Sequence, residues 1–419
     1  MNTPLTPASA IERIAVVDVL RAFALIGIIV THSVDGFLAG QPPVADFMIF
    51  SPLDRLVDQI EHLFTFGKFY TIFSFLFGLS FAIQLRNATQ KGVGFSGRFT
   101  WRLMVLALIA IVHGAFFAGD ILIVYAFLGL LLIPFRNVKT RTLLIIGLIL
   151  VFNVPGMFLG GLVVAAMPTP TPEQLEANAA MQAHAALLAE QTFAIKQSGT
   201  FAQLAAVNLS LGLLGKVLFM ILTGRLWITF GLFLLGMWAG RLEIFKDTEA
   251  NRAFFRRLLV PAGVVALITT VSEWLFPVAL QELSASNLLR WFSFTIQHVT
   301  LSAFYVAVVT LLYWKRPSGG LLPKLAPMGR MGLTTYLGQS VFGILVFYGL
   351  GLGLIGKIGA AAAVGLAIAF AILQIVLANL WAKKFAMGPA EWLWRSLTYF
   401  KVQPIRVRAS GGVPVEAAS

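Results

Sequence analysis

The sequence contains no cysteine and few charged side chains, and these two absences exclude several classes of protein. Without cysteine the chain forms no disulfide, no thiolate nucleophile and no thiolate metal site. Asp, Glu, Lys and Arg make up only 12% of the 419 residues, whereas 58% are hydrophobic, which excludes an ordinary soluble domain. We therefore predict an all-α, polytopic membrane protein, because helices satisfy their own backbone hydrogen bonds in lipid.

Acidic residues are the scarcest charged type, with 18 against 31 basic residues and a formal net charge of +13. Such an excess can indicate a nucleic-acid partner, but here most basic residues fall in alternate connections between about ten apolar runs. These connections are 86–102, 136–141, 241–257 and 315–330, together with the segment 383–408. The positive-inside rule then predicts about ten transmembrane helices with both termini cytoplasmic, and no nucleic-acid partner is predicted.

The chain is predicted to form one membrane domain over residues 1–402. Because charged residues interrupt its first apolar run, we interpret this run as a retained helix and not as a cleaved signal peptide. Residues 167–224 are predicted to form an outer-side loop and surface helix. Within them, 201–223 is apolar enough to span, but a crossing there would place later basic loops outside, so we predict an interfacial or re-entrant segment. An interfacial segment over 388–400 and a disordered cytoplasmic tail over 403–419 are predicted to follow.

The first predicted span contains Asp18, Arg21 and His32, although an ionisable residue inside a membrane is costly and usually faces a cavity. Asp18 and Arg21 are three residues apart and can pair on one helix face. Arg21 and His32 are eleven apart, which returns to nearly the same face at roughly 16 Å along the axis. The plain interpretation is a neutralised ion pair and an interfacial histidine. Asp35 makes the outer end of this predicted helix polar, which favours a functional role for His32 over the plain interpretation.

Two further histidines, His113 and His298, are predicted at the same outer depth as His32. Histidine can accept and return a proton near neutral pH, and Asp35 or Asp120 could orient one of the rings. Zinc binding is the competing use of three histidines, but no closely spaced ligand pair is present, so no metal is predicted. Asp120 also has a plain interpretation, because a Gly-Asp turn closes a short helical hairpin.

Several segments together carry a family resemblance. They are Arg13 to His32, Gly67 to Gly78, His113 with Gly119 to Leu122 and Tyr125-Ala126, Gly329 to Gln339, and Gly388 to Arg395. In these segments the chain resembles the YeiB-like family of membrane proteins, filed under a domain of unknown function numbered four-one-eight. Its first helix is also similar to that of transmembrane acyltransferases, in which an Arg near the cytoplasmic end and a His eleven residues later handle acyl-coenzyme A. Arg21 and His32 match that spacing.

The resemblance implies a protein of the bacterial cytoplasmic (inner) membrane. It also implies an acyltransferase that takes an acyl group from cytoplasmic acyl-coenzyme A and delivers it to a glycan or lipid at the outer face. His32, Asp35, His113, Asp120 and His298 are the candidate catalytic residues. The candidate donor-binding residues are Asp18, Arg21, Arg330, Gln339 and Arg395, although Arg330 alone would also satisfy the positive-inside rule. A small-molecule transporter or exporter, in which the charged residues form a substrate or proton path, and a membrane protein without turnover remain open alternatives.

Overall fold

Helices make up nearly all the regular structure of a computed structural model that describes residues 14–44, 46–166, 171–277 and 284–407. The helices are α1 (Ala15–Val34), α2 (Pro52–Phe64), α3 (Lys68–Gln90), α4 (Ser96–Phe116), α5 (Leu122–Phe135), α6 (Thr140–Val151), α7 (Val154–Ala166), α8 (Pro172–Ser198), α9 (Phe201–Val207), α10 (Leu213–Leu222), α11 (Arg225–Arg241), α12 (Glu249–Leu275), α13 (Ala285–Lys315), α14 (Leu322–Arg330), α15 (Gly332–Phe347), α16 (Ala360–Ala382) and α17 (Pro389–Tyr399). The described ranges contain no strand beyond one isolated bridge, Phe385 to Arg406. The predicted all-α membrane fold is confirmed.

Seven of these helical stretches are long and apolar enough to cross a membrane, or eight if the bent pair α6 and α7 is one span. Two shorter apolar helices, α5 and α15, lie beside them. One of the seven is the stretch Phe201–Leu222, which is formed by α9, a π-helical turn over Asn208–Gly212 and α10. The predicted number of crossings, the cytoplasmic termini and the interfacial placement of this stretch stay predictions.

Glycines bring the central helices into backbone contact. A Cβ on Gly78 of α3 would lie 1.9 Å from the carbonyl oxygen of Phe233 in α11, and one on Gly236 of α11 would lie 1.9 Å from that of Phe75. Only glycine permits this separation, which is the small-residue packing expected between helices in lipid. Helix α1 packs in the same bundle against α3, α14, α15 and α16.

Two of the family-like segments meet each other beside α1. Gly329 of α14 lies against the backbone of α1, since a Cβ there would be 1.7 Å from the carbonyl oxygen of Asp18. Glu391 of α17 accepts hydrogen bonds from the backbone N–H groups of Leu333 and Thr334 at 2.6 and 3.1 Å. Its carboxylate therefore caps the N-terminus of α15, where negative charge is favourable.

The C-terminal segment is ordered further than the sequence predicts. Ala386 N–H donates to Ile405 O at 2.8 Å, and Val407 N–H donates to Lys384 O at 3.0 Å. The prediction of disorder from residue 403 is therefore wrong for 403–407, because this short strand-like pairing satisfies its backbone groups. The remainder of the predicted tail, 408–419, lies outside the described residues.

Candidate functional site

The polar cluster with the most complete geometry surrounds His113, at the end of α4. His113 Nδ1 lies 2.7 Å from Asp120 Oδ1, and His113 Nε2 lies 2.8 Å from Ser340 Oγ. All three residues are buried, with 7%, 1% and 3% of their surfaces exposed. Serine, histidine and carboxylate joined in this order form the hydrogen-bonded series that activates a serine hydroxyl in acyl transfer.

The turn between α4 and α5 holds Asp120 in place. Asp120 accepts hydrogen bonds from the backbone N–H groups of Leu122 and Ile123, both at 3.2 Å, at the start of α5. This is the structural role that the Gly-Asp turn predicts. The same Oδ1 atom also meets His113, so one carboxylate both caps a helix and fixes the imidazole.

Aromatic rings connect His32 to this cluster. The His32 ring lies 5.0 Å from the ring centroid of Phe117, and the Phe117 ring lies 6.1 Å from that of His113. The two imidazoles are close enough to interact electrostatically. His32 makes no side-chain hydrogen bond to another described residue. His113 and Asp120 are therefore directly bonded, as the sequence suggested for a histidine and a carboxylate, whereas His32 is an unbonded neighbour.

Asp35 lies just beyond α1, beside a lysine of helix α8. Burial raises the pKa of Asp35 to about 6, and the charge of Lys196 opposes this rise. Burial lowers the pKa of Lys196 to about 8, while Asp35 acts in the opposite direction. Lys196 is 2% exposed and donates to Leu38 O. Asp35 thus interacts with α8 and does not orient any of the three histidines through a hydrogen bond.

His298 lies in a different part of the bundle. Its Nδ1 donates to Phe294 O at 2.6 Å, one turn earlier in α13, and its ring packs 4.0 Å from the Phe294 ring centroid. A Cβ on Gly67 would lie 1.9 Å from His298 Nε2, so this edge of the ring is pressed against α3. The structure does not bring His298 to the His113 cluster. Equal predicted depth did not imply contact, because the helices that carry the two histidines are separated around the bundle.

Asp18 and Arg21 form the predicted ion pair. Arg21 Nη1 donates to Asp18 Oδ1 at 2.6 Å, and Arg21 Nη2 donates to Ser80 Oγ of α3 at 2.7 Å. Both side chains are largely buried, with 25% of Arg21 and 11% of Asp18 exposed. The pair therefore links α1 to α3 and is neutral as a unit, which reduces its cost within the bundle.

The other predicted donor-binding residues are not gathered around Arg21. Gln339 donates to Leu25 O at 3.0 Å and to the side chain of Gln374 at 3.3 Å, so it ties α15 to α1 and α16. Arg330 is exposed at the end of α14. Arg395 lines a separate cavity.

That cavity has a volume of about 200 Å³ and a basic lining. Arg98, Arg102, Arg395 and Lys91 contribute to its wall, and the residues that line it include no Asp or Glu. The Arg102 guanidinium lies 3.9 Å from the Trp394 ring centroid, a cation–π contact that fixes its position. Such a wall suits an anionic ligand, because the arginines provide planar pairs of donors for phosphate oxygens.

The basic cavity is connected to the ion pair of α1 through α3. Gln84 lines the cavity and donates to Ser80 O, one turn earlier, at 3.1 Å. Ser80 in turn receives the hydrogen bond from Arg21. Arg21 is therefore linked to a residue of the cavity wall through Ser80, without forming part of the wall itself.

Sequence reasoning missed Ser340 and Tyr336. Both lie on α15, one turn apart. Tyr336 is inside the family-like segment Gly329 to Gln339, and Ser340 directly follows that segment. The Tyr336 hydroxyl accepts from Ile121 N–H at 3.3 Å, and its ring lies 5.2 Å from that of His113. No spacing in the sequence points to Ser340, because it meets His113 across 227 positions. Among the residues described, no three His, Asp or Glu side chains are grouped closely enough to hold a metal ion.

The apolar helices and buried polar clusters define a multi-pass helical membrane protein. Residues 239–401 match a family model described as "Protein of unknown function (DUF418)". The chain is 32% identical to the uncharacterized protein YxaH of Bacillus subtilis over 421 residues, covering 96% of this chain and 98% of that protein. It is 26% identical to the uncharacterized protein YeiB of Escherichia coli over 409 residues, covering 92% and 96% of the two chains.

The chain belongs to the YeiB-like family that carries the DUF418 domain, and the resemblance found in the sequence is confirmed. A third relative, described as an "Uncharacterized 39.9 kDa protein in amylase 3'region" of Bacillus acidopullulyticus, is 28% identical over 415 residues, with coverage of 96% and 99%. No solved structure matches the chain. None of these descriptions assigns an activity.

Proposed function

We propose that this protein is an acyltransferase of the bacterial cytoplasmic membrane. It takes an acyl group from acyl-coenzyme A on the cytoplasmic side and transfers it to a hydroxyl group of a glycan or lipid on the outer side. The observation that carries this proposal is the hydrogen-bonded series Ser340, His113 and Asp120, buried within the helical bundle. Of the candidate catalytic histidines, His113 thereby takes the role of general base.

The first half-reaction transfers the acyl group to serine. Ser340 Oγ attacks the thioester carbonyl carbon while its proton passes to His113 Nε2. Asp120 accepts the Nδ1–H bond, which keeps the ring in the required tautomer and stabilises its positive charge. The carbon–sulfur bond then breaks, the coenzyme A sulfur takes the proton from His113, and the acyl group remains as an ester of Ser340.

The second half-reaction transfers the acyl group to the acceptor. An acceptor hydroxyl attacks the serine ester while His113 accepts its proton. The bond to Ser340 Oγ breaks, and the proton returns from His113 to that oxygen. Tyr336 supports this chemistry, because its hydroxyl accepts from a backbone N–H and so has its own proton available to donate toward developing negative charge.

Two further features support a polyanionic donor and a gated site. The basic cavity with Arg98, Arg102 and Arg395 provides donors for nucleotide phosphates, on the side that the basic loops predict to be cytoplasmic. The Ser340 side chain is buried, with Tyr336 and Phe117 against its partner His113. Substrate access therefore requires movement of at least one of these rings.

The test is covalent labelling of the purified protein by radiolabelled acetyl-coenzyme A without acceptor. We expect one acetyl group, located on Ser340 by peptide mass spectrometry, and none in Ser340→Ala. Ser33→Ala is the matched control, because Ser33 is also buried near the predicted outer end and its hydroxyl has no hydrogen-bond partner among the described residues. If folded Ser340→Ala is still labelled, Ser340 is not the residue that receives the acyl group.

A transporter is the second candidate, and buried charge elsewhere in the bundle favours it. Lys68 is fully buried, donates to His62 O at 2.8 Å, and lies within electrostatic range of Glu61 and Glu273. Ionisable residues at membrane depth commonly form ion or proton paths. Lys68→Met distinguishes the candidates: a transporter should lose solute flux in proteoliposomes, whereas the acyltransferase should keep its Ser340 labelling.

A further inference from the structure

A second set of polar residues, separate from the His113 cluster, lines a small cavity between α3, α11 and α13. Its volume is about 20 Å³, and its wall includes Tyr70, Thr223, Arg225, Trp291 and His298. The residues that line this cavity include no Asp or Glu. It lies at the end of the bundle that the positive-inside rule predicts to face outside.

Aromatic rings hold Arg225 at this cavity. Its Cζ atom lies 5.1, 4.9 and 4.8 Å from the ring centroids of Phe66, Tyr70 and Phe219. Cation–π contacts of this kind fix the position of a guanidinium without using its N–H donors. The chain turns sharply just before Arg225, since Gly224 adopts a left-handed conformation with φ +68°, and this turn places the arginine at the first position of α11.

The cavity wall provides three hydrogen-bond donors whose acceptors are missing. The guanidinium of Arg225, the hydroxyl of Tyr70 and the indole N–H of Trp291 make no hydrogen bond within residues 14–44, 46–166, 171–277 and 284–407, and Arg225 makes no ion pair there. By contrast, the hydroxyls of Thr223 and Thr295 donate to carbonyl groups within their own helices. The three donor-bearing residues are half-buried, so their donors remain available to an acceptor that reaches the cavity from outside the chain.

We propose that this cavity binds the phosphate group of an anionic membrane lipid, with Arg225, Tyr70 and Trp291 donating to its oxygens. A cavity of about 20 Å³ holds approximately one water-sized group, so one phosphate oxygen enters while the rest of the ligand stays at the protein surface. That surface is apolar: Leu222, beside Thr223, is 82% exposed, and Phe219 is 40% exposed. A headgroup phosphate joined to acyl chains fits both the donors and this apolar surface.

The experiment measures lipid binding by native mass spectrometry of the detergent-purified full chain. Phosphatidylglycerol is the probe, and diacylglycerol, which has the chains without the phosphate, is its control. We expect Arg225→Gln to weaken phosphatidylglycerol binding about tenfold or more, since it removes a charge-assisted hydrogen bond. Arg290→Gln is the matched variant, because it removes the same charge from α13 one residue before Trp291, at a position that does not line the cavity.

Each outcome decides the proposal. Unchanged affinity in Arg225→Gln, equal loss in Arg290→Gln, or equal binding of diacylglycerol would overturn it. If Arg225→Gln does not fold, Tyr70→Phe and Trp291→Phe replace it: weaker binding in both supports the site, and wild-type binding in both refutes it. Competition by millimolar inorganic phosphate would identify free phosphate as the source of the bound group, and its absence would identify the lipid.

Discussion

His113 and His298 occupy the same predicted depth, yet the structure gives them opposite surroundings. His113 has a carboxylate on one ring nitrogen and a serine hydroxyl on the other. His298 donates one nitrogen to the carbonyl of its own helix and presses the other against Gly67. To activate a serine, a histidine must meet the serine hydroxyl with one ring nitrogen while the other nitrogen is held by a fixed partner. The comparison therefore assigns chemistry to His113 and packing to His298.

Asp120→Asn should give the largest effect. Asparagine keeps the shape of the side chain but cannot hold the imidazole in the same tautomer with a negative charge, a change that costs about 10⁴-fold in a serine protease triad. We expect acyl transfer to fall by about 10³-fold or more, measured as the initial rate of Ser340 acetylation. A retained rate would show that Asp120 serves only to cap α5.

The next comparison is between His113→Asn and His32→Asn. Loss of a general base typically costs about 10²–10⁴-fold in rate, and neither asparagine can take up a proton near neutral pH. Because His113 bonds Ser340 and His32 makes no side-chain hydrogen bond to a described residue, we expect the full loss in His113→Asn and a smaller one in His32→Asn. The reverse order, with both variants folded, would return the role of base to His32.

A further set of variants tests whether the ion pair of Asp18 and Arg21 is purely structural. If it is, Arg21→Ala should lower the free energy of unfolding by about 1–3 kcal/mol, because Asp18 then loses its charged partner. Joint replacement, Asp18→Leu with Arg21→Leu, should be less destabilising. Thermal unfolding in detergent measures both. If instead the single and double variants are equally stable and lose acetylation equally, Arg21 contacts the acyl donor.

His298→Gln should give the smallest effect. It removes one hydrogen bond to Phe294 O, and such a bond contributes about 1 kcal/mol. We expect a slightly lower unfolding temperature and an acetylation rate close to that of the wild-type protein. A loss of rate comparable to that of His113→Asn would restore the prediction that the three histidines act together.

Much of the fold could be predicted from local sequence features. Low charge and long apolar runs predicted an all-α membrane bundle, and three-residue spacing predicted the pair of Asp18 and Arg21. His113 and Asp120 are only seven residues apart around a turn, so their association could also be anticipated. Each of these inferences depends on helical periodicity or on a short connection, which the chain determines locally.

Other features depend on contacts between residues far apart in the sequence. Ser340 reaches His113 across 227 positions, and the N–H of Trp394 donates to Arg102 O across 292. Glu391 caps α15 from a helix more than fifty residues later. No periodicity encodes which helices become neighbours, so apparent depth alone grouped His298 wrongly with His113.

The sequence by itself therefore determined the all-α membrane class of the protein and the cost of placing charge inside its apolar helices. Tertiary structure decided which polar groups meet. The physical reason is that hydrophobicity and helix propensity act on each segment separately, whereas helix pairing depends on close backbone approach at particular glycines. Gly78 and Gly236 set the contact between α3 and α11, and Gly329 sets α14 against α1.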